Sequence, residues 1–381
     1  MEETLDNYVE ALPLDPVVRR RIRMTVGCTD CADISKVPHA GEVLDGPDGR
    51  YQLMHNGVKV IEGCYYGLWM TEVIRLLRGH HEPQEERAFR ELLRHVPANG
   101  TMVELGSFWA YYSLWFQQQI PAARTYLIEP DPHNLEVGKR NFALNGRTGE
   151  YFHFSIGRQA GPPEPFECES DGVIRPVPMT SIDAFLMLVG QPYVDVLLSD
   201  IQGGEAEMLE GAVDSIERGK IRFVVISTHH HSISGDALTH QKCLEFLRDR
   251  GALILAEHSV AESYSGDGLI VASFRTEDRH IPPIMVSRNR STNSLFRELE
   301  YDLHDAWQEI RRLKERGPEG PGSEGADHVV EDVSDLAASG SGSLADRRLV
   351  ARRRRGADTG LRAWLSGRLL EGLSRRRMSS G

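Results

Sequence analysis

The sequence predicts an α/β fold: a doubly wound, mostly parallel sheet with a terminal antiparallel hairpin. Short apolar runs such as Thr101–Leu105 and Val194–Ser199 alternate with amphipathic segments. Strands separated by helices of about 10–15 residues indicate parallel strands joined by crossover helices. The last two apolar runs, Leu253–Glu257 and Gly268–Phe274, have no helical segment between them and therefore predict a hairpin.

The first 80 residues predict a cap segment outside this sheet. An amphipathic helix is expected around Val17–Met24, a strand pair over Tyr51–Ile61 turning at His55-Asn56-Gly57, and a short helix over Trp69–Leu77. The next helix is expected from Pro83 to about His95, because proline suits a first helical turn and the acids after it suit the positive helix end.

From residue 101 the strands and helices alternate regularly. The expected strands are Thr101–Leu105, Thr125–Ile128, Tyr151–Ile156, Val194–Ser199 and Arg222–Thr228. The expected helices are Ala110–Gln118, His133–Asn145, Glu205–Ile216 and Leu238–Arg250, and Met179–Leu186 is expected as a small strand feeding a helix. This pattern predicts a main domain over residues 81–275.

The C-terminal part has a different composition. Apolar residues recur at three- and four-residue steps over Ser291–Arg316, which predicts one amphipathic helix that docks on the domain or pairs with a second copy in a homo-oligomer. Residues 276–316 are therefore a connector and helix. Residues 317–381 predict a disordered linker and a basic tail, with a short helix near Leu361–Leu373 that is either flexible or binds a membrane surface or partner.

Charge and cysteine content exclude several classes of protein. The net charge is −12, and residues 344–378 hold 11 Arg against three acids, a balance of +8, so the rest of the 381-residue chain carries −20. This argues against binding of nucleic acid. No apolar run reaches about 18 residues and the N-terminus lacks a signal-peptide pattern, so we expect a cytoplasmic protein without a transmembrane segment.

Five cysteines argue against a disulfide framework. Cys28 and Cys31 form a C-x-x-C pair, but no second pair completes a zinc site, and Cys64, His39 and His55 are scattered. Two reduced cysteines near a turn are the favoured interpretation, with zinc as the alternative.

The turn after the first strand indicates an adenosine-containing cofactor. Gly106 follows the strand, and Glu129 ends the next strand 23 residues later, where an acid can bind ribose hydroxyls. A dinucleotide needs further glycines against its pyrophosphate, but Phe108 and Tyr111 occupy those positions. S-adenosylmethionine, which has no pyrophosphate, therefore fits better than NAD.

Four segments together resemble the FkbM family of S-adenosylmethionine-dependent methyltransferases. They are Val103–Gly106, Ile128–Asn134 with Asn141 and Asn145, Thr180–Asp183, and Asp195–Glu205 with Leu209–Ala212. The resemblance covers about residues 80–275 and implies a class I (Rossmann-like) methyltransferase fold and O-methylation of a hydroxylated small molecule or sugar. Gln202 stands where the family usually has Glu, which puts metal ligation and the fine chemistry in doubt. Ala110 stands where a glycine is common after the first strand, and neither departure argues against cofactor binding.

The cofactor-binding residues are expected at the C-terminal rim of the strands, where ligands of parallel sheets bind. Glu129 is expected at the ribose diol, Glu104 and Gly106 at the methionine end, and Ser155 and Ile156 at the adenine edge. Asp131 and Asn134 are expected to flank the adenosine. The full expected set is Glu104, Gly106, Ser107, Glu129, Pro130, Asp131, Asn134, Ser155, Ile156 and Asp200.

The run His229-His230-His231 at the end of a strand supplies the catalytic candidates. In an extended segment His229 and His231 point the same way, and with Asp200 they form either a base with its orienting acid or a two-His, one-carboxylate site for a divalent cation. The plainer alternative is one partly buried histidine and two solvated ones. Asp236 and the loop Glu262–Asp267 are expected on the acceptor side.

Two rival functions stay open at this point. One is a nicotinamide-dependent oxidoreductase on a similar sheet, which the missing glycines disfavour. The other is a catalytically silent methyltransferase-like scaffold, which Gln202 keeps open and the intact turn disfavours.

Overall fold

The structure, a computed structural model, describes residues 2–315 and is built around a seven-stranded sheet. Its helices are α1 Glu2–Ala11, α2 Pro16–Val26, α3 Leu68–Leu76, α4 Pro83–Leu93, α5 Tyr111–Gln119, α6 Pro132–Leu144, α7 Ile182–Leu188, α8 Glu205–Glu210, α9 Val213–Glu217, α10 His231–Ser234, α11 Thr239–Asp249 and α12 Leu299–Glu315. Its strands are β1 Val43–Gly46, β2 Gly49–Leu53, β3 Lys59–Ile61, β4 Thr101–Leu105, β5 Arg124–Ile128, β6 Glu150–Phe152, β7 Ser155–Ile156, β8 Gly161–Glu167, β9 Ile174–Thr180, β10 Val194–Ser199, β11 Ile221–Thr228, β12 Leu253–His258 and β13 Gly268–Ser273.

The main sheet has the strand order β12-β13-β11-β10-β4-β5-β6. Strands β11, β10, β4, β5 and β6 are parallel, and β13 pairs antiparallel with both β11 and β12. The predicted fold class and the terminal hairpin are therefore confirmed. The chain runs outward from β4 to β6 and returns on the other side through β10, so the strand order reverses between β4 and β10. Ligands of such sheets bind at this switch point.

Helices cover both faces of the sheet, which leaves β4 and β10 buried along their whole length. One apolar cluster joins α2, α3, α4 and α5 to one face, and a second joins α7, α8 and α11 to the other. Adjacent residues of β4 divide between the two clusters, Met102 in the first and Val103 in the second. This is the alternation expected of a strand buried on both sides.

Two asparagines, Asn141 of α6 and Asn145 directly after it, attach a three-stranded antiparallel sheet, β1-β2-β3, to the main domain. The Asn141 side chain accepts a hydrogen bond from the backbone N–H of Ile61 at 2.9 Å and donates one to the carbonyl of Trp109. The Asn145 side chain bonds both the N–H and the C=O of Lys59. These asparagines therefore take the place of a neighbouring strand along β3. The predicted strand pair and its turn are confirmed, while β1 and α1 were not predicted.

Two predicted elements are wrong in their continuity. Tyr151–Ile156 is not one strand: β6 belongs to the main sheet and β7 to a separate sheet of order β7-β9-β8. The chain leaves the main sheet at His153, whose Nε2 lies 2.8 Å from the carbonyl oxygen of Pro130. The helix predicted over Glu205–Ile216 is divided between α8 and α9 at Gly211, where a Cβ would lie 2.5 Å from the carbonyl oxygen of Gly157.

Strand β8 was not predicted. Its sequence, GPPEPFE, contains one glycine and three prolines, a composition typical of a loop. The strand lies at the edge of its sheet. Proline has no backbone N–H to donate, and an edge strand tolerates this at positions that face away from the neighbouring strand.

The described residues divide into two units: residues 2–297 form the first, and residues 298–315, which contain α12, belong to the second. The predicted helix over Ser291–Arg316 starts only at Leu299. The Ser294 hydroxyl is buried against the carbonyls of Val260 and Ser263, which holds the preceding segment in the first unit. The expected linker, basic tail and Leu361–Leu373 helix lie outside the described residues. Within residues 2–315, no helix has the length and apolar character needed to cross a bilayer.

Candidate active site

The turn after β4 is clamped between its two neighbouring strands. Gly106 has φ of +71°, its N–H donates to the carbonyl of Ile128 at 2.9 Å, and a Cβ on it would lie 1.9 Å from the carbonyl oxygen of Asp200. Phe108 and Ala110 also have positive φ, at +37° and +63°. The turn thus uses the left-handed region three times, and Ala110 adopts without glycine the conformation that makes glycine common there.

Glu129, at the end of β5, is fixed beside this turn. Its Oε2 accepts the N–H of Phe108 at 3.0 Å and its Oε1 accepts the N–H of Asp131 at 2.9 Å. Burial raises the pKa of Glu129 to about 8, although the two hydrogen bonds work in the opposite direction. Each carboxylate oxygen has two lone pairs, so both keep the capacity to accept one more donor.

The carboxylate of Asp131 is hydrogen-bonded within the protein and does not face an open site. This carboxylate caps the N-terminus of α6 by accepting the N–H groups of His133 and Asn134, and it also accepts the N–H and hydroxyl of Ser170. Asn134 is buried. Because the oxygens of Asp131 are already occupied, this residue shapes the loop around an adenosine site and does not extend into it.

The remaining expected cofactor residues include Glu104 and Ser107, on β4 and in the turn, and Ser155 and Ile156 on β7. The carboxyl of Glu104 is buried, accepts the N–H of Ser113 at 3.0 Å and has a pKa raised by burial to about 8. Ser107 is buried, and its N–H donates to the carbonyl of Ile128. Ser155 and Ile156 are half-buried on β7, and the Ser155 hydroxyl donates to the carbonyl of Pro178 at 3.4 Å.

His229 follows β11 directly and lies among three carboxylates. Its Nδ1 is 2.7 Å from Oε1 of Glu205, and its Nε2 is 3.1 Å from Oδ1 of Asp200 and 3.7 Å from Oδ1 of Asp267. Burial alone would lower the pKa of His229, but the charges of Glu205 and Asp267 and the contact with Asp200 outweigh it and raise that pKa well above its usual value. The surrounding carboxylates therefore favour the protonated, imidazolium form of His229.

The structure separates His231 from this cluster, so the predicted grouping of His229 and His231 on one side is wrong. The extended backbone ends at Thr228, His230 caps α10, and His231 is the first residue of that helix, with its ring 3.9 Å from the ring of His230. Between residues 2 and 315, no set of three converging ligand atoms combines Asp200 with His229. The expected two-His, one-carboxylate cation site does not form.

Two tyrosines of the cap, Tyr65 and Tyr66, complete the rim together with Glu82 of the loop before α4 and Glu85 of α4. The sequence analysis did not single out the two tyrosines or Glu85 for the site. Tyr65 stacks on Trp109 at 4.4 Å, and Tyr66 donates its hydroxyl to Glu169 at 2.9 Å. Burial, and then the charge of Glu82 among others, raises the pKa of Tyr65 well above its usual value. The only sequence signal for these tyrosines is their position between two glycines, which is weak.

Glu85 of α4 is buried against β11, where it accepts the hydroxyl proton of Ser227. Burial raises the pKa of Glu85 to about 7, and the charge of Asp200 acts in the same direction. Asp267 also has a raised pKa, chiefly because it is buried. Glu85 of α4, Asp200 directly after β10 and Asp267 of the loop before β13 therefore form one electronegative region beside the turn.

Residues 95–254 match the sequence family described as "Methyltransferase FkbM domain". This range contains the Gly106 turn, Glu129, Asp200 and His229. Residues 95–254 are an FkbM methyltransferase domain. No curated protein sequence matches the chain.

Solved structures of methyltransferases are similar to the chain at low identity. One is described as a putative O-methyltransferase from Klebsiella pneumoniae, with 15% identity, a TM-score of 0.33, and coverage of 71% of this chain and 96% of the other. Another is TrmK of M. capricolum in complex with S-adenosyl-homocysteine, with 11% identity, a TM-score of 0.35, and coverage of 61% and 88%. A third is cofactor-bound Rv0187 from MTB, with 15% identity, a TM-score of 0.34, and coverage of 50% and 80%. The assignment of the FkbM domain rests on the family match.

Gln202, the residue that differs from the usual glutamate of the FkbM family, lies away from the contacts of His229. Gln202 is exposed and has φ of +60°. The second acid of the same segment, Glu205, is buried, contacts His229 and accepts the N–H of Gly203 at 2.9 Å. The substitution thus removes a charge from the outside of the loop and leaves the carboxylate contacts of His229 intact.

Proposed function

We propose that the methyltransferase domain uses S-adenosylmethionine to methylate a hydroxyl group of a small molecule or sugar. The observation that carries this proposal is the position of His229 and Asp200 beside the Gly106 turn, at the rim where the strand order reverses. A hydroxyl acceptor must lose a proton during transfer, and this cluster places ionisable side chains beside the expected cofactor site.

The residues of the turn fit this cofactor. Gly106 lacks a side chain where the backbone passes closest to Asp200, and Glu129 keeps one free lone pair on each carboxylate oxygen, which matches the two hydroxyls of a ribose. We assign Glu129 to the ribose, and the backbone around Gly106 and Ser107 to the methionine end. Asn134, Ser155 and Ile156 stay the proposed neighbours of the adenosine, with Pro130 and Asp131 shaping the loop.

The cofactor would supply a methyl group on a positively charged sulfur. The acceptor oxygen would bond to that methyl carbon in line with the carbon–sulfur bond, which breaks and leaves the neutral thioether S-adenosylhomocysteine. Because that positive charge disappears during transfer, strong anions at the sulfur contribute little, and most of the rate must come from holding the oxygen and the methyl group close and collinear. The rim tyrosines Tyr65 and Tyr66, together with Asp236 and the loop Glu262–Asp267, are proposed to hold the acceptor.

Exposure decides which group takes the acceptor's proton. The Asp200 side chain is 33% exposed, whereas the His229 side chain is 2% exposed. An acceptor can therefore contact Asp200 directly, whereas His229 acts on the acceptor only through Asp200. We assign the base to the Asp200 carboxylate. His229, held by Glu205 on its other nitrogen, positions the Asp200 carboxylate. This replaces the expectation that His229 or His231 is itself the base.

The test is methyl transfer from ¹³C-methyl-labelled S-adenosylmethionine to a panel of sugars and hydroxylated aromatic and polyketide compounds, followed by NMR of the product. We expect an O-methyl product, and a loss of about 10²–10⁴ in turnover for Asp200→Asn with cofactor affinity retained. The matched control is Asp214→Asn, an exposed carboxylate of α9, before the N-terminal end of β11 and thus at the opposite edge of the sheet. Label on nitrogen or carbon, or full turnover by Asp200→Asn, would overturn the assignment.

A further inference from the structure

A second cluster of reactive side chains lies in the core of the first unit, on residues that methyl transfer does not use. Cys31, His80 and Glu86 are 4%, 0% and 0% exposed, and each presents one ligand atom within 4.8 Å of the other two. Cys31 belongs to the C-x-x-C motif, but Cys28 has a different neighbour, the hydroxyl of Ser287 at 3.5 Å. The motif is therefore split, and its second cysteine joins groups from a distant segment.

The hydrogen bonds around the cluster leave one nitrogen unaccounted for. His80 Nδ1 contacts Oε2 of Glu86, while Glu86 Oε1 accepts the N–H of His81 and lies 2.7 Å from His81 Nδ1. His80 Nε2 is buried and has no hydrogen-bond partner among the described residues. An unsatisfied buried polar atom costs about 1–3 kcal/mol, so this nitrogen calls for a ligand.

Thiol, imidazole and carboxylate together are the donor types that zinc takes, whereas calcium and magnesium take oxygen donors alone. We propose that Cys31, His80 and Glu86 form a binding site for a zinc ion. Tetrahedral zinc, with bonds of about 2.0–2.3 Å, separates pairs of ligand atoms by about 3.3–3.7 Å. Glu86 would therefore give up its contact with His80 Nδ1, and side-chain shifts of about 1 Å would bring a Glu86 oxygen, His80 Nε2 and Cys31 Sγ around one ion. Binding releases the Cys31 thiol proton to solvent.

The alternative use of the same three residues is a cysteine nucleophile with its histidine and acid. Burial excludes it, because a nucleophilic thiol must meet its substrate and Cys31 is 4% exposed, with its Sγ donating to the carbonyl of Pro83 at 3.2 Å. A structural ion needs no access path for substrate. Two further imidazoles surround the site: the His55 ring stacks on His80 at 4.1 Å, and His81 holds the second oxygen of Glu86.

The position of the site suggests what the ion does. It joins the segment after α2 to the loop before α4 and to α4 itself, and the same stretch carries Glu82 and Glu85 of the rim. His81, next to His80, contacts the rings of Trp109 and Tyr111 edge-on, at 4.9 and 5.3 Å. Zinc would therefore fasten the cap to the element that bears the rim acids, and it would stabilise the fold without contacting the methyl group.

The experiment uses the full chain, stripped with a chelator and titrated with zinc alone, followed by cobalt as a spectroscopic substitute. We expect one zinc per chain and, with cobalt, a thiolate-to-metal charge-transfer band. Cys31→Ala is expected to lose that band and to bind zinc more than about 100-fold more weakly. The control Cys243→Ala also removes a fully buried thiol, but from the other apolar cluster, and is expected to bind zinc as the unmodified chain does.

Circular dichroism of both variants checks that they fold. If Cys31→Ala does not fold, the cobalt spectrum of the unmodified chain still decides the matter, because the band requires a thiolate ligand. Absence of stoichiometric zinc from the unmodified chain, cobalt binding without the thiolate band, or equal affinity in Cys31→Ala would each overturn the proposal. None of these results depends on methyl transfer or on S-adenosylmethionine.

Discussion

Replacement of Gly106 by alanine isolates the contact that brings β4 and β10 together at the rim. The new Cβ would lie 1.9 Å from the carbonyl oxygen of Asp200, and ordinary contacts begin at 3.4 Å, so the two segments must separate by about 1.5 Å. The backbone φ of +71° adds about 1–2 kcal/mol for a residue with a side chain. This backbone contribution and the displacement of a packed strand end together should lower the free energy of unfolding by about 3–5 kcal/mol.

The matched control is Gly146→Ala, which has nearly the same backbone conformation, with φ of +62°, but no atom within 4 Å of its Cβ. It should lose only the backbone contribution of about 1–2 kcal/mol. Urea denaturation followed by circular dichroism measures both variants, and calorimetric titration measures their affinity for S-adenosylmethionine. A displacement of about 1 Å beside a reacting centre costs about 100-fold in rate. The reasoning is refuted if Gly106→Ala is as stable as Gly146→Ala and binds the cofactor equally well.

Three further predictions concern the buried ionisable groups. Burial raises the pKa of Glu104 in the folded chain to about 8, so the stability that this carboxyl contributes is present below its ordinary pKa and is lost as the pH rises towards 8. Glu104→Gln should therefore lose less stability between about pH 5 and pH 9 than the unmodified chain, and equal losses would contradict this. Ribose hydroxyls favour the ionised form of Glu129, so cofactor binding near pH 7 should release a proton from this carboxyl. Calorimetry in buffers of different ionisation enthalpy measures that proton, and Glu129→Gln should release none. His229→Gln should reduce turnover by about 10–100-fold and shift the dependence of turnover on pH. His231→Gln changes a residue outside the carboxylate cluster and should alter neither turnover nor its pH dependence. A larger effect of His231→Gln than of His229→Gln would exclude His229 as the positioning residue.

The sheet was predictable from the sequence because its strands are short apolar runs bounded by clear helix signals. Thr101–Leu105 and Val194–Ser199 are buried along their whole length, so local composition reports their environment directly. The Gly106 turn and Glu129 follow from the same regularity. Strand β8 could not be predicted in this way, because its prolines read as a loop and only its edge position makes them acceptable.

The grouping of the rim side chains depends on contacts that sequence spacing does not encode. The expectation that His229 and His231 share a side assumed an extended chain, but the backbone turns into α10 after His230, and the second acid on His229 comes from Glu205, at the start of α8. Tyr65 arrives from a cap whose position depends on asparagine bonds from α6 to β3. Such long-range placement is decided by packing, which local patterns do not reveal.

Calorimetric titration of S-adenosylmethionine and, separately, of NAD into the purified chain and into Glu129→Ala tests the central claim most directly. We predict that the chain binds S-adenosylmethionine and not NAD, and that Glu129→Ala loses most of this affinity while keeping its fold. Binding of NAD in its place, or undiminished S-adenosylmethionine binding in Glu129→Ala, would contradict the cofactor site built around Gly106 and Glu129.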